Sequence, residues 1–505
     1  MTTLSRNVVF NVVGQGLVLV LSFIAVKFLF RQLGADVFGV IYFNITLATV
    51  VTTVLELGIS STSVREVSRH FQTEPDYIRS FIQTTSLIYW GLGMLVFVVV
   101  FASAPVLVEK WINLTTVDAA TASTMVRILG VSTSVVLPRA LYTSLFRGRQ
   151  RMGINNSIDV AAAVAQQLGI VVVLRLGGGV FAVATWISVS AVIWVLAYVF
   201  VAARMFGWAA LAPRLHSEVV RRNARFAGLM MSNSLLSLVH SQADKVIVSK
   251  LLPIADFGFY GFASATVGRA GFVTSAITQA AFPSLSSLFE SGDRLGLLRQ
   301  YRKLQDLVCF GTLPMFAAIC FGALPAYTYL FNASVAGRLL LPTFFLALGF
   351  FMNGAINTPY VVSLAMGKPQ IAVRSNVVAL FVVLPVTAVL IAVYGITGAA
   401  FSWVFYHLFT YVYMVPRVCR ECLDMPLWRW YLTVARPLGL AVVAYGLGWF
   451  VIATAGSFSL NALALGYMAA TVIYALGAYP LIGADLRDTV SNLRQTLGMR
   501  WAGTQ

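Results

Sequence analysis

Long apolar runs recur along the whole of this sequence and leave few folds open to it. An α-helix needs about 20 apolar residues to cross a bilayer, and stretches of that length follow one another from the N-terminus to the C-terminus. Only 10% of the 505 residues are charged, whereas a soluble domain carries about 25%. The sequence therefore predicts an all-α polytopic membrane protein without a large soluble domain.

Glycines, prolines and charged clusters divide the apolar runs into about 14 predicted transmembrane spans. The run 335–365 is too long for one crossing, so we expect it to tilt or to break near Pro342 or Pro359. In order, the predicted spans are 8–30, 39–61, 81–104, 121–145, 157–174, 179–203, 226–250, 258–283, 305–328, 335–365, 374–394, 396–416, 433–455 and 459–482.

The net charge of +17 fits a membrane topology better than a nucleic-acid partner. With the N-terminus inside, 25 of the 35 Lys and Arg residues fall on inner segments, five at outer ends and five within spans. Basic residues mark cytoplasmic loops, so both termini are predicted to lie in the cytoplasm of a prokaryote, and no nucleic acid is expected. Residues 1–10 lack a cleavage pattern, so we expect the first span to be retained.

An internal repeat is indicated when the sequence is shifted by 219 residues against itself. Chance agreement of loop residues is the alternative explanation. The shift predicts an N-terminal lobe of six spans (1–219), a C-terminal lobe of six spans (220–420), and two additional spans with a cytoplasmic tail (421–505). The matched pairs are Arg6 with Arg225, Arg31 with Lys250, Phe38-Gly39 with Phe257-Gly258, Gly148-Arg149 with Gly367-Lys368, and Gly179 with Gly398.

Three short segments resemble motifs of one known family. Arg31–Gly39 resembles the turn after its first span, and Arg147–Arg151 resembles the basic loop after its fourth span. Gln242–Lys245, leading to Phe257–Tyr260, resembles its seventh-to-eighth-span region. Over roughly residues 1–420, the chain is similar to the lipid-linked oligosaccharide and polysaccharide flippases of the multidrug/oligosaccharidyl-lipid/polysaccharide exporter superfamily.

This resemblance implies a V-shaped bundle whose two lobes alternate access for a polyprenyl-diphosphate-linked oligosaccharide used in cell-surface polysaccharide biosynthesis. It implies a monomeric exporter in the cell membrane, not an enzyme, that needs no cofactor. Its expected partners are the lipid-linked glycan, membrane lipids and glycan-assembly enzymes. Fourteen spans resemble the lipid-linked peptidoglycan-precursor branch and some polysaccharide members, since multidrug members usually have twelve.

Basic residues inside the predicted spans are the candidate ligands for a diphosphate. A charge at the bilayer centre costs on the order of 3 kcal/mol, so each of these residues needs water or an anion around it. Arg269 is the strongest candidate, because a guanidinium grips phosphate oxygens in pairs. Lys27 could instead snorkel to the outer surface. The full set of cations is Arg269, Arg127, Arg139, Lys245 and Lys27.

Polar stripes are predicted to line a hydrated cavity. Span two carries Thr49, Thr53 and Glu56 within one continuous helical stripe that also includes Tyr42, Thr46, Ser60 and Ser63. Packing against another helix is the alternative, because Thr and Ser are common at such contacts.

Further polar residues are candidates for ion coupling or sugar binding. In span seven, Asn233, Ser237, His240 and Asp244 share a face and could move a proton or bind a cation. The alternative is a structural pair of Asp244 with Lys245 or with an Arg of a neighbouring helix. Asp159 lies near the inner interface of span five. Asn353 and Asn357 share a face of span ten and could bind sugar hydroxyls or serve ordinary packing.

Two other functions are weighed against glycan transport. A cation-coupled multidrug exporter should carry an acidic residue in its first span, but 8–30 contains no Asp or Glu. A membrane glycan ligase or polymerase should display catalytic acids in a large outer loop, and the longest outer connection offers only Glu109 and Asp118. No metal site is expected, since Cys419 and Cys422 lack a second ligand pair.

Overall fold

A computed structural model describes residues 3–454 and 459–488 of the chain, and its regular elements in these ranges are helices. The chain packs as two compact units, Met1–Phe259 and Tyr260–Gln505. The repeat and the lobe boundaries predicted at 219/220 and 420/421 stay predictions. Most of the predicted cytoplasmic tail lies outside the described residues.

The first unit is built from nine helices among its described residues and the start of a tenth. Their order follows the predicted spans, and α2 and α8 are short segments between them. The helices are α1 (Thr3–Leu55), α2 (Ile59–His70), α3 (Pro75–Lys110), α4 (Ala119–Ser134), α5 (Val136–Gly148), α6 (Met152–Arg175), α7 (Val180–Phe206), α8 (Trp208–Leu211), α9 (Ser217–Leu251) and the start of α10 (Ile254–Glu290).

The second unit continues from α10 through an equally helical chain. It contains a π-helical turn, Cys419–Leu423, in which both cysteines are buried as free thiols. The remaining helices are α11 (Arg294–Gly311), α12 (Leu313–Leu330), α13 (Ala333–Ala365), α14 (Gln370–Tyr413), α15 (Val415–Val418), α16 (Leu427–Thr454) and α17 (Leu460–Ala478).

Ten stretches of the described residues are long and apolar enough to cross a membrane. Two of them, Leu17–Leu55 and Gln370–Leu423, contain a glycine with non-helical backbone angles, Gly34 (φ 84°) and Gly395 (φ 59°). These glycines separate predicted span one from two and span eleven from twelve. The prediction of an all-α polytopic membrane protein is confirmed.

Two predicted spans are each divided into two helices, although the pattern of residues in the sequence predicts one continuous helix. Span two was predicted as one helix over 39–61, but α1 ends at Leu55, and Leu57 and Gly58 both take positive φ angles before α2 begins. Span four is interrupted at Val135. Pro138 has no N–H to donate to the carbonyl of Ser134, and its ring crowds that oxygen, so α4 ends at Ser134 and Pro138 lies in the first turn of α5.

The long span ten behaves differently from these two. Helix α13 continues through both Pro342 and Pro359 without a break. Its 33 residues correspond to roughly 50 Å, more than the roughly 30 Å of a hydrocarbon core. The predicted break is therefore absent, and tilting remains the expected way for this helix to fit.

Close backbone contact joins α1 to the start of α10 inside the first unit. A Cβ placed on Gly39 would lie 2.1 Å from the carbonyl oxygen of Ile254, and one on Gly258 would lie 2.7 Å from the Cα of Gly39. Only glycine fits such an approach. The two Phe-Gly pairs matched by the 219-residue shift therefore touch each other.

A buried carboxylate fixes the loop beside this contact. Asp36 is fully buried and accepts backbone N–H bonds from Thr115 and Thr116, each 2.7 Å long, and from Val117 at 3.2 Å. The Thr115 hydroxyl donates a fourth bond at 2.8 Å. These bonds satisfy a charge that would otherwise be costly to bury, so Asp36 ties the α3–α4 loop to the middle of α1.

Candidate functional site

The predicted stripe on α1 is partly preserved. Thr49 and Thr53 donate 2.9 Å hydrogen bonds to the carbonyls four residues before them, and these bonds stay within α1. Thr49 is exposed, while Thr53 and Glu56 are half-buried. No hydrogen bond found among the described residues joins either threonine to another helix.

The lower part of that stripe is separated by the break after Leu55. The phenol of Tyr89 on α3 bridges the break, because its oxygen lies 3.3 Å from the Glu56 carbonyl oxygen and 3.2 Å from Ser60 Oγ. A single uninterrupted stripe from 42 to 63 is therefore wrong: Ser60 and Ser63 belong to α2.

Helix α9 carries the predicted acid, base and cation of span seven. Lys245 Nζ lies 3.3 Å from both carboxylate oxygens of Asp244 and 3.2 Å from the Ser241 carbonyl. Asp244 is buried, and His240 Nδ1 lies 2.8 Å from the Leu236 carbonyl oxygen. This geometry is the structural pair named as the alternative for Asp244. The side chain of the fourth candidate, Asn233, lies outside the described residues.

Arg139 and Asp159 come together from different predicted spans. Arg139 Nη2 on α5 lies 2.5 Å from Asp159 Oδ1 on α6, and Tyr198 on α7 donates a 2.7 Å hydrogen bond to the same oxygen. The two charged side chains are 45% and 38% exposed. Because the carboxylate neutralises the guanidinium, Arg139 is a weaker phosphate ligand than the sequence alone indicated.

Arg127 is not part of that pair and lies on α4, before the break at Val135. Its Nε donates a 3.3 Å bond to the carbonyl of Phe101, and its guanidinium carbon lies 5.1 Å from the centroid of the Phe101 ring. None of the ion pairs found in residues 3–454 and 459–488 includes Arg127. Lys27, another of the candidate cations, is half-buried on α1 before Gly34.

In the second unit, α10 packs on α13 through small residues. Cβ atoms placed on Gly268 and Gly271 would lie 3.3 and 3.2 Å from the Phe350 ring. Further along the same contact, Asn357 Nδ2 donates a 2.9 Å bond to Thr278 Oγ1. Asn357 therefore holds the two helices together. Asn353 is half-buried and forms no hydrogen bond with the described residues.

Arg269 points away from this contact. At 100° per residue it lies on the opposite face of α10 from Gly271 and Thr278 and roughly a quarter-turn from Gly268. Its side chain is exposed, and it belongs to no ion pair in the described part of the chain. Of the predicted cations, Arg269 thus keeps its guanidinium available to an anion.

An apolar groove of about 560 Å³ lies in the second unit between α12, α13 and α16. Its walls are almost entirely hydrocarbon and aromatic side chains. A groove of this character between membrane helices suits a lipid chain. The lining includes Phe316, Cys320, Phe344, Phe351, Tyr445, Gly446 and Trp449.

Sequence reasoning missed a polar network at the start of α3. Glu66, only 3% exposed, accepts a 2.9 Å bond from Arg65 Nε and another from the Tyr77 hydroxyl. Asn223 of α9 joins Arg65 to Tyr77 through bonds of 3.0 and 2.9 Å. The sequence signal for this network was Glu66, an acidic residue in a segment rich in Arg. Its burial could not be predicted, because it depends on helices that are distant in sequence.

A second ion pair extends this network toward solvent. Arg222 Nη1 lies 3.0 Å from Glu74 Oε2, and its guanidinium carbon lies 3.9 Å from the Tyr77 ring centroid. The hydrogen bond from Arg222 holds the pKa of Glu74 below its usual value of 4.5. The network thus ties α2 and α3 to the first turns of α9 through charged groups.

Comparison with known proteins agrees with the resemblance read from the motifs. The chain is 21% identical over 412 residues to a protein named "Putative O-antigen transporter" from Shigella flexneri, covering 79% of this chain and 93% of that protein. Its fold is similar to that of the lipid II flippase MurJ in an inward closed conformation, with a TM-score of 0.72, 12% identity, and coverage of 95% of this chain and 100% of that one.

A multidrug resistance transporter of the MATE family in an inward-facing conformation shares the fold less closely. Its TM-score is 0.66 at 11% identity, over 80% of this chain and 95% of that one. These two structures establish the transporter fold. The profile of the family described as "Polysaccharide biosynthesis protein" matches residues 4–289. This match spans more than half of the sequence, and the chain therefore belongs to the polysaccharide biosynthesis protein family.

Proposed function

We propose that this protein flips a polyprenyl-diphosphate-linked oligosaccharide across the cytoplasmic membrane by alternating access, for the synthesis of a cell-surface polysaccharide. The observation that carries this proposal is the match to a protein named as an O-antigen transporter along 79% of the chain. The multi-pass helical fold, which is similar to that of a lipid II flippase, supports the same class of substrate. The glycan-assembly enzymes of the same pathway are its proposed partners, and the chain is proposed to act as a monomer.

In this proposal Arg269 binds the diphosphate. Its exposed guanidinium has no carboxylate partner in the described part of the chain, and its planar donors can hold two phosphate oxygens at once. Thr49 and Thr53 of α1, together with Glu56 just after its end, are proposed to line the path of the sugar. The groove between α12, α13 and α16 is proposed to hold part of the polyprenyl chain, since its apolar walls match a hydrocarbon.

A reconstituted flipping assay tests the function and the role of Arg269 separately. A fluorescent polyprenyl-diphosphate oligosaccharide is placed in proteoliposomes, and a reductant that cannot cross the membrane quenches only the outer leaflet. We expect the protein to accelerate quenching of the inner pool, and Arg269→Gln to slow it about tenfold, because a charge-assisted hydrogen bond contributes roughly 1.5–3 kcal/mol. The flipping rate of Arg269→Lys should lie between those of the wild type and Arg269→Gln, because lysine keeps the charge but cannot donate two hydrogen bonds in parallel.

Arg302→Gln is the matched control, because Arg302 is also an exposed arginine of the second unit and, among the described residues, its Nε donates to the Leu298 carbonyl of its own helix. It should flip at the wild-type rate. Absence of flipping by wild-type protein, together with export of a cationic dye, would overturn the proposed function in favour of a multidrug exporter. Flipping that is unchanged in Arg269→Gln would overturn only the role of this residue.

We infer that both termini lie in the cytoplasm of a prokaryotic cell. The inference rests on the distribution of Lys and Arg among alternating segments. Cysteines introduced beside Arg149 and beside Asn113 should react from opposite sides of the membrane, the second with an impermeant maleimide in intact cells. Labelling of both positions, or of the Arg149 side alone, would overturn this orientation.

A further inference from the structure

A second groove lies in the first unit, between α3, α4 and α7, with a volume of about 600 Å³. The side chains on its rim are large and apolar: Phe101, Val189 and Ile193 are each close to half exposed. In a membrane-spanning unit, exposed apolar side chains of this size are those that face lipid. The groove is therefore open to the bilayer.

One charge lies in the wall of this groove. Arg127 lines it, and the residue stacks on Phe101 through its guanidinium and donates Nε to the Phe101 carbonyl. No carboxylate within ion-pair distance of Arg127 occurs among the described residues. A cation beside apolar side chains loses part of its hydration, so an anion placed against its remaining N–H groups would stabilise it.

The depth of Arg127 matches the headgroup region. Arg127 lies eight residues after Ala119, the start of α4, which is roughly 12 Å along the helix. The stretch Ala119–Gly148 has 30 residues, or roughly 45 Å, so about 7 Å would project from each side of a 30 Å hydrocarbon core. The Cα of Arg127 then lies about 5 Å below the boundary, so the guanidinium can reach the headgroup region by snorkelling.

The groove is also amphipathic along its length. Thr124 and Thr185 line it near the starts of α4 and α7, closer to the helix ends than Arg127. Val131, Val192 and Ile193 line it further along the same helices, toward the membrane middle. Hydroxyls and a cation at the end of the groove, followed by hydrocarbon, repeat the order of polar and apolar groups in a phospholipid.

We propose that this groove binds an anionic phospholipid of the membrane, with its phosphate on Arg127 and an acyl chain along α4 and α7. A zwitterionic lipid would bring its own cation beside the guanidinium, so the site should prefer a headgroup with net negative charge. The proposal does not depend on the transport function, because the bound lipid is a component of the bilayer and not the flipped substrate.

Photo-crosslinking tests this assignment. The full chain is reconstituted in nanodiscs that contain phosphatidylglycerol or phosphatidylcholine carrying a photoreactive acyl chain, and labelled peptides are identified by mass spectrometry. We expect phosphatidylglycerol to label α4 and α7 about tenfold more than phosphatidylcholine, and Arg127→Gln to remove the difference, because the lost bond is charge-assisted. Val189→Trp should lower labelling by both lipids, since it fills the groove.

Arg175→Gln provides the matched control. Arg175 also stacks on a phenyl ring, with its guanidinium carbon 4.8 Å from the Phe28 centroid, but it does not line the groove. It should leave the labelling unchanged, and thermal unfolding checks that each variant is folded. Equal labelling by the two lipids, full retention of the preference in Arg127→Gln, or displacement of the label by polyprenyl phosphate but not by excess phosphatidylglycerol would overturn the proposal.

Discussion

At the scale of single residues, charged side chains in the predicted spans fall into paired and unpaired groups. Arg139 is held by Asp159, and Lys245 by Asp244, so each pair is close to neutral. Arg127 and Arg269 have no such partner in the described part of the chain. A pair of opposite charges serves structure at modest cost, whereas an unpaired cation in a membrane needs water or an external anion.

The Arg139–Asp159 pair should behave as one unit. Either Arg139→Gln or Asp159→Asn leaves its partner as an uncompensated charge. The losses of unfolding free energy in the two single variants should therefore add up to more than the loss in the double variant. We expect a coupling of about 1 kcal/mol, since both groups are partly exposed. Unfolding in mixed detergent and SDS micelles measures it, and strictly additive effects would contradict the pairing.

The sequence predicted which charged residues are unusual better than it predicted which residues they contact. The charge of Arg139, Asp159 and Arg127 marked them as unusual within apolar spans. Which of them meet depends on how α5, α6 and α7 rotate about their axes, and a single sequence does not specify that rotation. For the same reason Asp36 was not predicted as a loop anchor, because its partners lie about 80 residues further along the chain.

At the scale of elements, the contact of α1 with α10 is made by backbone rather than side chains. Gly39→Ala should lower the unfolding free energy by about 1–3 kcal/mol, the usual cost of overpacking, because its Cβ would lie 2.1 Å from the Ile254 carbonyl oxygen. The same unfolding assay measures the change.

Gly91→Ala is the control for that substitution. Gly91 lies in the middle of α3 with no heavy atom within 4 Å of an added Cβ. Alanine should therefore be neutral there or should stabilise α3 by up to about 1 kcal/mol, through its higher helix propensity. Equal losses at the two glycines would show that the α1–α10 contact is not the cause.

Helix boundaries were predictable where the chain is punctuated by glycine alone, as at Gly34 and Gly395, which bend longer helices at the predicted junctions. The break at Leu57-Gly58 was not predicted, because polar residues keep their helical spacing on both sides of it. Near Val135 the sequence contains Pro138, but no break of span four was predicted from it. Prolines 342 and 359 show the opposite case, since α13 accommodates both.

At the scale of the whole molecule, the order of the membrane-spanning stretches follows from apolar length, which is a property of the sequence alone. About 14 spans were predicted, whereas ten stretches of the described residues are long and apolar enough to cross a membrane, because two of these stretches each contain two predicted spans and because α9 and α10 are not among the ten. The transporter fold was inferred from short motifs, and its similarity to a lipid II flippase confirms that inference. The two grooves were beyond prediction, because each is assembled by three helices and its volume depends on their packing.

Occlusion of the groove in the second unit should slow transport without unfolding the protein. Gly446 lines the groove, and no heavy atom lies within 4 Å of its added Cβ. Gly446→Leu should therefore fold and place its side chain where the polyprenyl chain is proposed to lie, slowing flipping about tenfold, since such a side chain excludes apolar area worth roughly 1.5 kcal/mol.

Gly439→Leu is the matched control on the same helix. Gly439 also has open space around its Cβ, but it does not line the groove. Its flipping rate should stay at the wild-type value. Equal slowing by both substitutions would point to a general effect on α16, and no slowing by either would exclude the groove from the path of the lipid.

The four free cysteines make it possible to measure whether a lipid chain occupies this groove. Cys309, Cys419 and Cys422 are buried, whereas Cys320 is partly accessible and lines the groove between α12, α13 and α16. A membrane-soluble thiol reagent should therefore modify Cys320 first, and a lipid chain in the groove should protect it. The natural sequence thus carries its own reporter of lipid occupancy, and occupancy can be followed without engineering a cysteine-free background.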